Sequence, residues 1–413
     1  MAGVGGPDRL TFPAVAAPTA DRWVQGAVAA VFDEMVDTRR LLHAHPELGF
    51  EEHQTTALVR QRLAGLGLSE EPAGTDTGAV FSLDGGREGA TVVLRADIDA
   101  LPVDEEVALP YRSTVDGVMH ACGHDEHTAS LLGVAAALSR RAGDLPGRYV
   151  FVFQPGEETC DGARRMLELG ALRRLGPARL VGHHVTSQLP VGMVGLRPGV
   201  AMSEAHSLRV ELHGGGGHGA MPTGTGDVVA GAAQLAVSLP SVVEGLTFEG
   251  TACVCSAGTL HAGTAPNVVP DRAVLEGTLR TFTDRQREDA LARLADLVAQ
   301  VAADRGVEAT LTLPSHTPAV VNDPAVTAVV DRVAREVVAD GHLLAMPPVG
   351  PSDDVSELLA VVPGCYFFVG GAPPDGPAGM HHSPTFAVDD GALRVSALVT
   401  LHAALALAAA PGI

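Results

Sequence analysis

The chain has 413 residues and a formal net charge of −21, set by 28 basic and 49 acidic residues, and every basic residue is arginine. That acidity argues against nucleic acid and against anionic membrane surfaces as partners. With 46% hydrophobic residues the chain can bury extensive apolar surface, and its length exceeds what one hydrophobic core supports, so two domains are expected.

Residues 1–19 are rich in Gly, Ala and Pro, with neither the basic start nor the apolar core of a signal peptide, and are expected to form a disordered tail. A helical region follows over about 20–63, carrying Arg39-Arg40-Leu41-Leu42-His43 and interrupted near Pro46. From Gly78 to about Pro198 short β-branched runs alternate with helical stretches, the pattern of an α/β domain. The run 91–94 leads into Arg95-Ala96-Asp97-Ile98-Asp99, the run 149–153 into Gln154-Pro155-Gly156-Glu157-Glu158, and the run 178–181 into Gly182-His183-His184. A helix with an acidic cap is expected from Asp125.

After Pro198 the pattern changes. Strands over 208–212, 252–255, 273–280 and 309–313, with helices over 228–239 and 284–305, give the order β-α-β-β-α-β of a ferredoxin-like α+β unit. This unit, residues 199–314, interrupts a catalytic domain formed by 20–198 and 315–413. A last strand over 365–369 precedes His381-His382-Ser383-Pro384, and residues 395–410 are expected to form a buried terminal helix. No apolar run reaches the roughly 18–20 residues a membrane span needs. Five cysteines, an odd number in a long chain, do not make a disulfide framework and point to reduced thiols and a cytoplasmic location.

The densest chemistry lies in Val118-Met119-His120-Ala121-Cys122-Gly123-His124-Asp125-Glu126-His127. A thiolate and an imidazole two residues apart can address one metal. Active sites of open α/β sheets gather at the carboxyl ends of the strands, so separated segments are expected to bring Asp, Glu and His groups to the Cys122/His124 loop. Glu157 and Glu158 can divide their labour: one carboxylate holds metal while its neighbour moves protons.

Several segments in order resemble one family: residues 40–52, Arg95-Ala96-Asp97-Ile98-Asp99-Ala100-Leu101-Pro102, 119–127, 153–158, 182–185, 216–222, 265–270 and His382-Ser383-Pro384. They are similar to the aminoacylase, hippurate hydrolase and indole-acetyl-amino-acid hydrolase branch of the dinuclear-metal carboxypeptidase superfamily. The resemblance implies a mixed-sheet metal-binding domain with an inserted lid and dimerisation domain. It further implies hydrolysis of N-acyl amino acids, with two divalent metal ions per chain, manganese or zinc first and cobalt or nickel as further candidates. By resemblance, Cys122, His124, Glu158, His184 and His382 are the metal ligands, Glu157 is the general base and Asp97 an acid beside the ligands. His218, Asn267 and Arg280 would reach substrate from the insert, and a homodimer would form through it. Gly156, and Ser352-Asp353-Asp354-Val355-Ser356, depart from the family's usual Ala and Ser-Glu-Asp-Phe-Ser.

Two other readings compete. A cysteine hydrolase with Cys122 as nucleophile leaves Glu157, Glu158, His184 and His382 without roles. A catalytically silent binding protein would have no need of Glu157, and a dipeptidase or carbamoyl-amide hydrolase would be expected to carry a bridging carboxylate in place of Cys122. His43, His45, His183 and His381 are expected to be structural or supporting, His206, His261 and His316 to be ordinary polar residues, and Cys253 and Cys255 to be packing residues.

Overall fold

The computed structural model describes residues 22–374 and 379–410; the tail expected at 1–19 lies outside the described residues. In chain order, α1 (Arg22–Ala29), α2 (Phe32–Ala44) and α3 (His53–Leu63) precede β1 (Ser69–Glu71), β2 (Ala79–Asp84) and β3 (Arg87–Asp97). Then come α4 (His124–Ser139), β4 (Pro146–Gln154), α5 (Gly162–Glu168), β5 (Ala178–Pro190) and β6 (Val194–Leu196). The middle of the chain gives β7 (Gly199–Met202), β8 (Glu204–His213), β9 (Gly217–His218), α6 (Val228–Ser238), β10 (Thr247–Phe248), β11 (Thr251–Ala252), β12 (Val254–Ala262), β13 (Val268–Val269), β14 (Arg272–Thr281), α7 (Asp284–Arg305), β15 (Glu308–Thr312) and β16 (His316–Thr317). The chain closes with β17 (Val320–Asn322), α8 (Pro324–Val337), β18 (Leu343–Ala345), α9 (Val355–Val361), β19 (Gly364–Ala372) and α10 (Gly391–Ala408).

The larger sheet is mixed, in the order β1-β2-β4-β3-β5-β19-β6-β18, with β4, β3, β5 and β19 parallel at its centre. Those strands are apolar on both faces because helices cover both. The period of two divides them. Tyr149, Phe151 and Phe153 of β4, with Val92, Leu94 and Ala96 of β3, pack in one core with α1, α2, α3, α4, α8 and α10. Val150 and Val152 of β4 and Val93 of β3 face the other way, into a smaller core with α5 and α9. Helix α10 is long and apolar enough to cross a membrane, yet 78% of it is buried within the protein.

The middle elements form a separate five-stranded antiparallel sheet, in the order β12-β14-β8-β15 with β16 also paired to β8, and with its own apolar core beneath α6 and α7. Burial alternates strictly along β8, as a half-covered sheet requires. Helix α7 starts where the Thr283 side chain accepts from Gln286 N–H and stops at Gly306, φ 62°. β12 runs to Ala262, well past the expected strand, because its outer half is exposed on both faces and carries no alternation.

Two local expectations are corrected. Asp125 does not cap α4: the cap is Gly123, at φ 88°, where a Cβ would lie 2.4 Å from Val185 Cγ1. Asp125 instead turns inward to Arg39 Nε at 3.1 Å and His43 Nδ1 at 3.0 Å, tying α4 to α2. β5 does not end before His183 and His184 but carries both within it.

Helix α4 also approaches α2 at Gly133, where a Cβ would sit 2.2 Å from Met35 Sδ. Gly133→Ala should therefore destabilise the fold by about 1–3 kcal/mol through overpacking. Urea unfolding checks this, and an unchanged midpoint would mean that Met35 moves aside freely.

Candidate metal centre

Strand parity places the site. On β3, residues 93, 95 and 97 share a face, so Arg95 and Asp97 point to the same side as Val93. Gln154, which follows Val150 and Val152, lies on that side of β4, and His184 follows Leu180 on β5. Near these strand ends the apolar core gives way to a buried polar network. Arg95, 2% exposed, donates to Asp97 Oδ2 at 2.7 Å, Gln154 Oε1 at 2.9 Å and Asp353 Oδ1 at 3.2 Å, with Tyr366 Oη at 3.2 Å. Burial raises the cost of charge at Asp97, but the Arg95 guanidinium, with His124 and His127, holds its carboxyl well below the usual range.

Above this base the donors converge. Cys122 Sγ lies 3.5 Å from His184 Nε2 and 3.6 Å from His381 Nδ1. His124 Nε2 is 3.7 Å from Asp97 Oδ2 and 3.9 Å from both Glu157 Oε2 and Glu158 Oε1. His382 Nε2 is 3.4 Å from Glu158 Oε2. Three donor groups thus meet: Cys122 with His184 and His381, Cys122 with Glu158 and His382, and Asp97 with His124 and His127.

The imidazoles are oriented from behind. His124 Nδ1 donates to Asp99 O at 2.9 Å and His184 Nδ1 to Val185 O at 2.7 Å, so each turns the lone pair of Nε2 towards the cluster. His127 accepts from Val185 N–H at Nε2 and faces Asp97 with Nδ1, fixing the acid beneath the site. Asp99 Oδ2 accepts from Glu158 N–H at 2.9 Å.

The donors fit divalent cations. His124 Nε2 and Glu158 Oε1 are buried, and neither has a hydrogen-bond partner among the described residues. The site is also short of positive charge. Burial, with Asp353 and Glu158 nearby, pushes the Glu157 carboxyl well up, and burial with Asp99 raises Glu158 to about 7 against the pull of His124. Burial and the same two glutamates push the Cys122 thiol well up. Acids this crowded keep their protons unless cations replace them.

The insert residues are placed differently. Arg280 on β14 is half-buried, donates to Gly350 O at 3.3 Å and Ser352 Oγ at 3.2 Å, and helps push His382 below its usual range, after burial and the His124 and His184 rings. His218 and Asn267 sit in a short ladder of the insert: His218 pairs with Val268 across β9 and β13, and Gly219 N–H donates to Asn267 O at 2.9 Å. Both are exposed.

Residues 93–406 match the model of peptidase family M20/M25/M40. The chain belongs to that family. This member is 36% identical over 360 residues to the N-acetyl-L-cysteine deacetylase of Bacillus subtilis, covering 87% of this chain and 85% of that one. It is 34% identical to an IAA-amino acid hydrolase, ILR1-like 4, of Arabidopsis thaliana, over 91% and 85% of the two chains. Among solved structures, the Bacillus subtilis YXEP protein, a dinuclear metal binding peptidase of the M20 family, superposes with a TM-score of 0.78 at 31% identity, covering 92% of this chain and 99% of that one. This M20 protein is a metal-dependent amidohydrolase whose site takes two divalent cations.

Sequence reasoning gave no role to His127 or Arg95, the groups that hold Asp97. The available signal was the charged pair two apart inside an apolar strand, which places both on one buried face. His381, expected to be a supporting residue, reaches Cys122 as closely as His184 does. Arg95→Met in this M20 enzyme should cost about 3–5 kcal/mol by leaving Asp97, Asp353 and Asp354 without their buried cation. Chemical denaturation of parent and variant reads the difference, and equal stabilities would show that the acids are neutralised some other way.

Proposed function

We propose that this enzyme hydrolyses N-acyl amino acids to a carboxylic acid and a free amino acid, with Cys122, His124, Glu158, His184 and His382 holding two metal ions. The observation that carries the reading is the convergence of these five residues, from buried Cys122 and His124 out to exposed His382, with Glu157 beside them. Cys122, in place of a bridging carboxylate, favours N-acyl amino acids over dipeptides and carbamoyl amides. Zinc suits the thiolate and imidazole donors, and manganese suits the carboxylates, with cobalt or nickel as further occupants.

When bound, the metals activate water and polarise the scissile carbonyl. Glu157 takes a proton from the attacking water as its oxygen bonds to the carbonyl carbon, then gives that proton to the nitrogen as the C–N bond breaks. Asp97 keeps His124 in place without leaving the network of Arg95 and His127. Arg280, already steered by Gly350 and Ser352, offers a planar guanidinium to the substrate α-carboxylate. His218 and Asn267 act on the amide oxygen and nitrogen once β9 and β13 are brought over the site.

In this reading residues 199–314 are a lid, and the exposed edge of β12 pairs two copies of the chain. The five free cysteines suit a reducing cytoplasm.

Metal analysis, with release of amino acid from N-acetyl and N-benzoyl amino acids before and after chelation, tests the reaction. Two metals per chain and chelator-sensitive turnover are expected. Glu157→Gln should keep the metal and lower kcat at least ~100-fold, the usual scale of a general base; near-normal turnover would remove Glu157 from the mechanism. Arg280→Ala should raise KM for acyl amino acids while sparing their carboxamides. For the dimer, Leu260→Glu on β12 should shift sedimentation from dimer to monomer, and a parent that already sediments as a monomer would sink that part of the proposal.

A further inference from the structure

At the entry to the smaller sheet, one carbonyl oxygen serves both the junction of the chain and the arginine of β14. Ser203 stands between β7 and β8 and is fully buried. Its N–H donates to Val349 O at 3.0 Å and Pro351 O at 3.1 Å, and its hydroxyl donates to Gly350 O at 2.5 Å. Val349 N–H donates back to Ala201 O at 2.9 Å, so the loop 349–351 runs alongside β7. Gly350 O also accepts from Arg280 Nη1 at 3.3 Å, and Ser352 Oγ accepts from the same nitrogen at 3.2 Å. A carbonyl oxygen has two lone pairs, and here both are used.

Arg280 is held without being neutralised. Among the described residues no carboxylate pairs with it, whereas the fully buried Arg39 and Arg95 are each ringed by acids. Burial lowers its pKa, against a smaller rise from Cys160. Nη1 alone is tethered; Nε and Nη2 have no partner among the described residues, and that edge can grip a carboxylate with two parallel hydrogen bonds. An untethered arginine spreads over many rotamers and gives up that freedom on binding. We propose, resting on Arg280 as the carboxylate contact, that Ser203 and Ser352 are positioning residues. Through Gly350 O and Ser352 Oγ they fix Nη1, so that the free Nε–Nη2 edge is presented to the substrate α-carboxylate.

The tethers join two parts of the molecule. Arg280 belongs to β14 of the smaller sheet, while the loop 349–352 lies between β18 of the larger sheet and α9. The carboxylate edge is therefore set only while the two sheets keep this arrangement. Ser203 touches no substrate; it locks the acceptor, and Ser352 holds the same nitrogen from the other side. Selection for a free α-carboxylate follows, because a neutral carboxamide gains little from a guanidinium aimed in advance.

The test is steady-state kinetics on N-acyl amino acids with the metal-loaded parent, Ser203→Ala, Ser352→Ala and Arg280→Ala, and with each serine change made on top of Arg280→Ala. Each serine change alone should raise KM about 3–10-fold, the scale of one hydrogen bond, at unchanged kcat. On top of Arg280→Ala the same changes should move KM no further, which a general loosening of the fold would not reproduce. Ser352→Thr, which keeps the hydroxyl, should restore the parent KM. An unmoved KM in Ser352→Ala, an equal rise when Arg280 is absent, or a loss carried in kcat would overturn the positioning role. Should Ser203→Ala fold poorly, half-buried Ser352 decides alone. If Arg280→Ala itself leaves KM unmoved, the carboxylate contact fails; a rise there that neither serine variant shares removes only the positioning role.

Discussion

The buried ion pair between Arg95 and Asp97 is the constraint on which the site rests. A guanidinium sealed between strands would be ruinously expensive alone, and so would the acids around it. Together they form a rigid floor: Arg95 gathers Asp97, Asp353, Gln154 and Tyr366, while Asp97 in turn faces His127 and comes close to His124. Each member is held by at least one other, so a ligand imidazole cannot tilt without disturbing the floor. The layers above it are then a matter of charge. Glu157 and Glu158 stand so close to other acids that divalent cations are the natural counter-charge.

This arrangement explains why the site occupies one face of the sheet. β3, β4, β5 and β19 are apolar on both sides for most of their length, and only towards their ends does the α5/α9 side change from Val to Arg, Asp, Gln, His and Tyr. The opposite face stays occupied by α4 and α10 up to the same level. Residues of alternating parity thus do different work: His184 looks into the metal site, whereas His183 looks back to Glu126 on α4.

How much of this was legible in sequence depended on how local the signal was. α7 could be bounded at both ends because Thr283 and Gly306 are local caps, whereas β8 was recognised by its alternation but read short, as 208–212 within Glu204–His213. β12 was read short, since an edge strand exposed on both faces has no period to detect. His183 and His184 were expected beyond a strand end but lie inside β5, because a strand buried on both sides gives no sign of where polar residues interrupt it. Asp125 looked like a cap from its position alone, yet its partners are 82 and 86 residues away. His206 and His316, expected to be ordinary polar residues, stack across a strand pair that joins distant parts of the chain. The segments that resemble the family carry the side chains that converge in space, while the groups holding those side chains were set by three-dimensional packing.

The pairing of β16 with β8 has a mechanical consequence. The chain enters the smaller sheet along β8 and leaves it along β16, and His316 and Thr317 lie directly opposite His206 and Ala205. Entry and exit are therefore held about 4.5–5.5 Å apart, the separation of paired Cα atoms in an antiparallel ribbon. A ribbon of this kind bends across its flat face far more readily than within its plane. Motion of the smaller sheet against the larger one is thereby reduced towards a single flexing direction. A closure cost that would grow with the length of the intervening chain is also settled locally, by one short ladder at the junction.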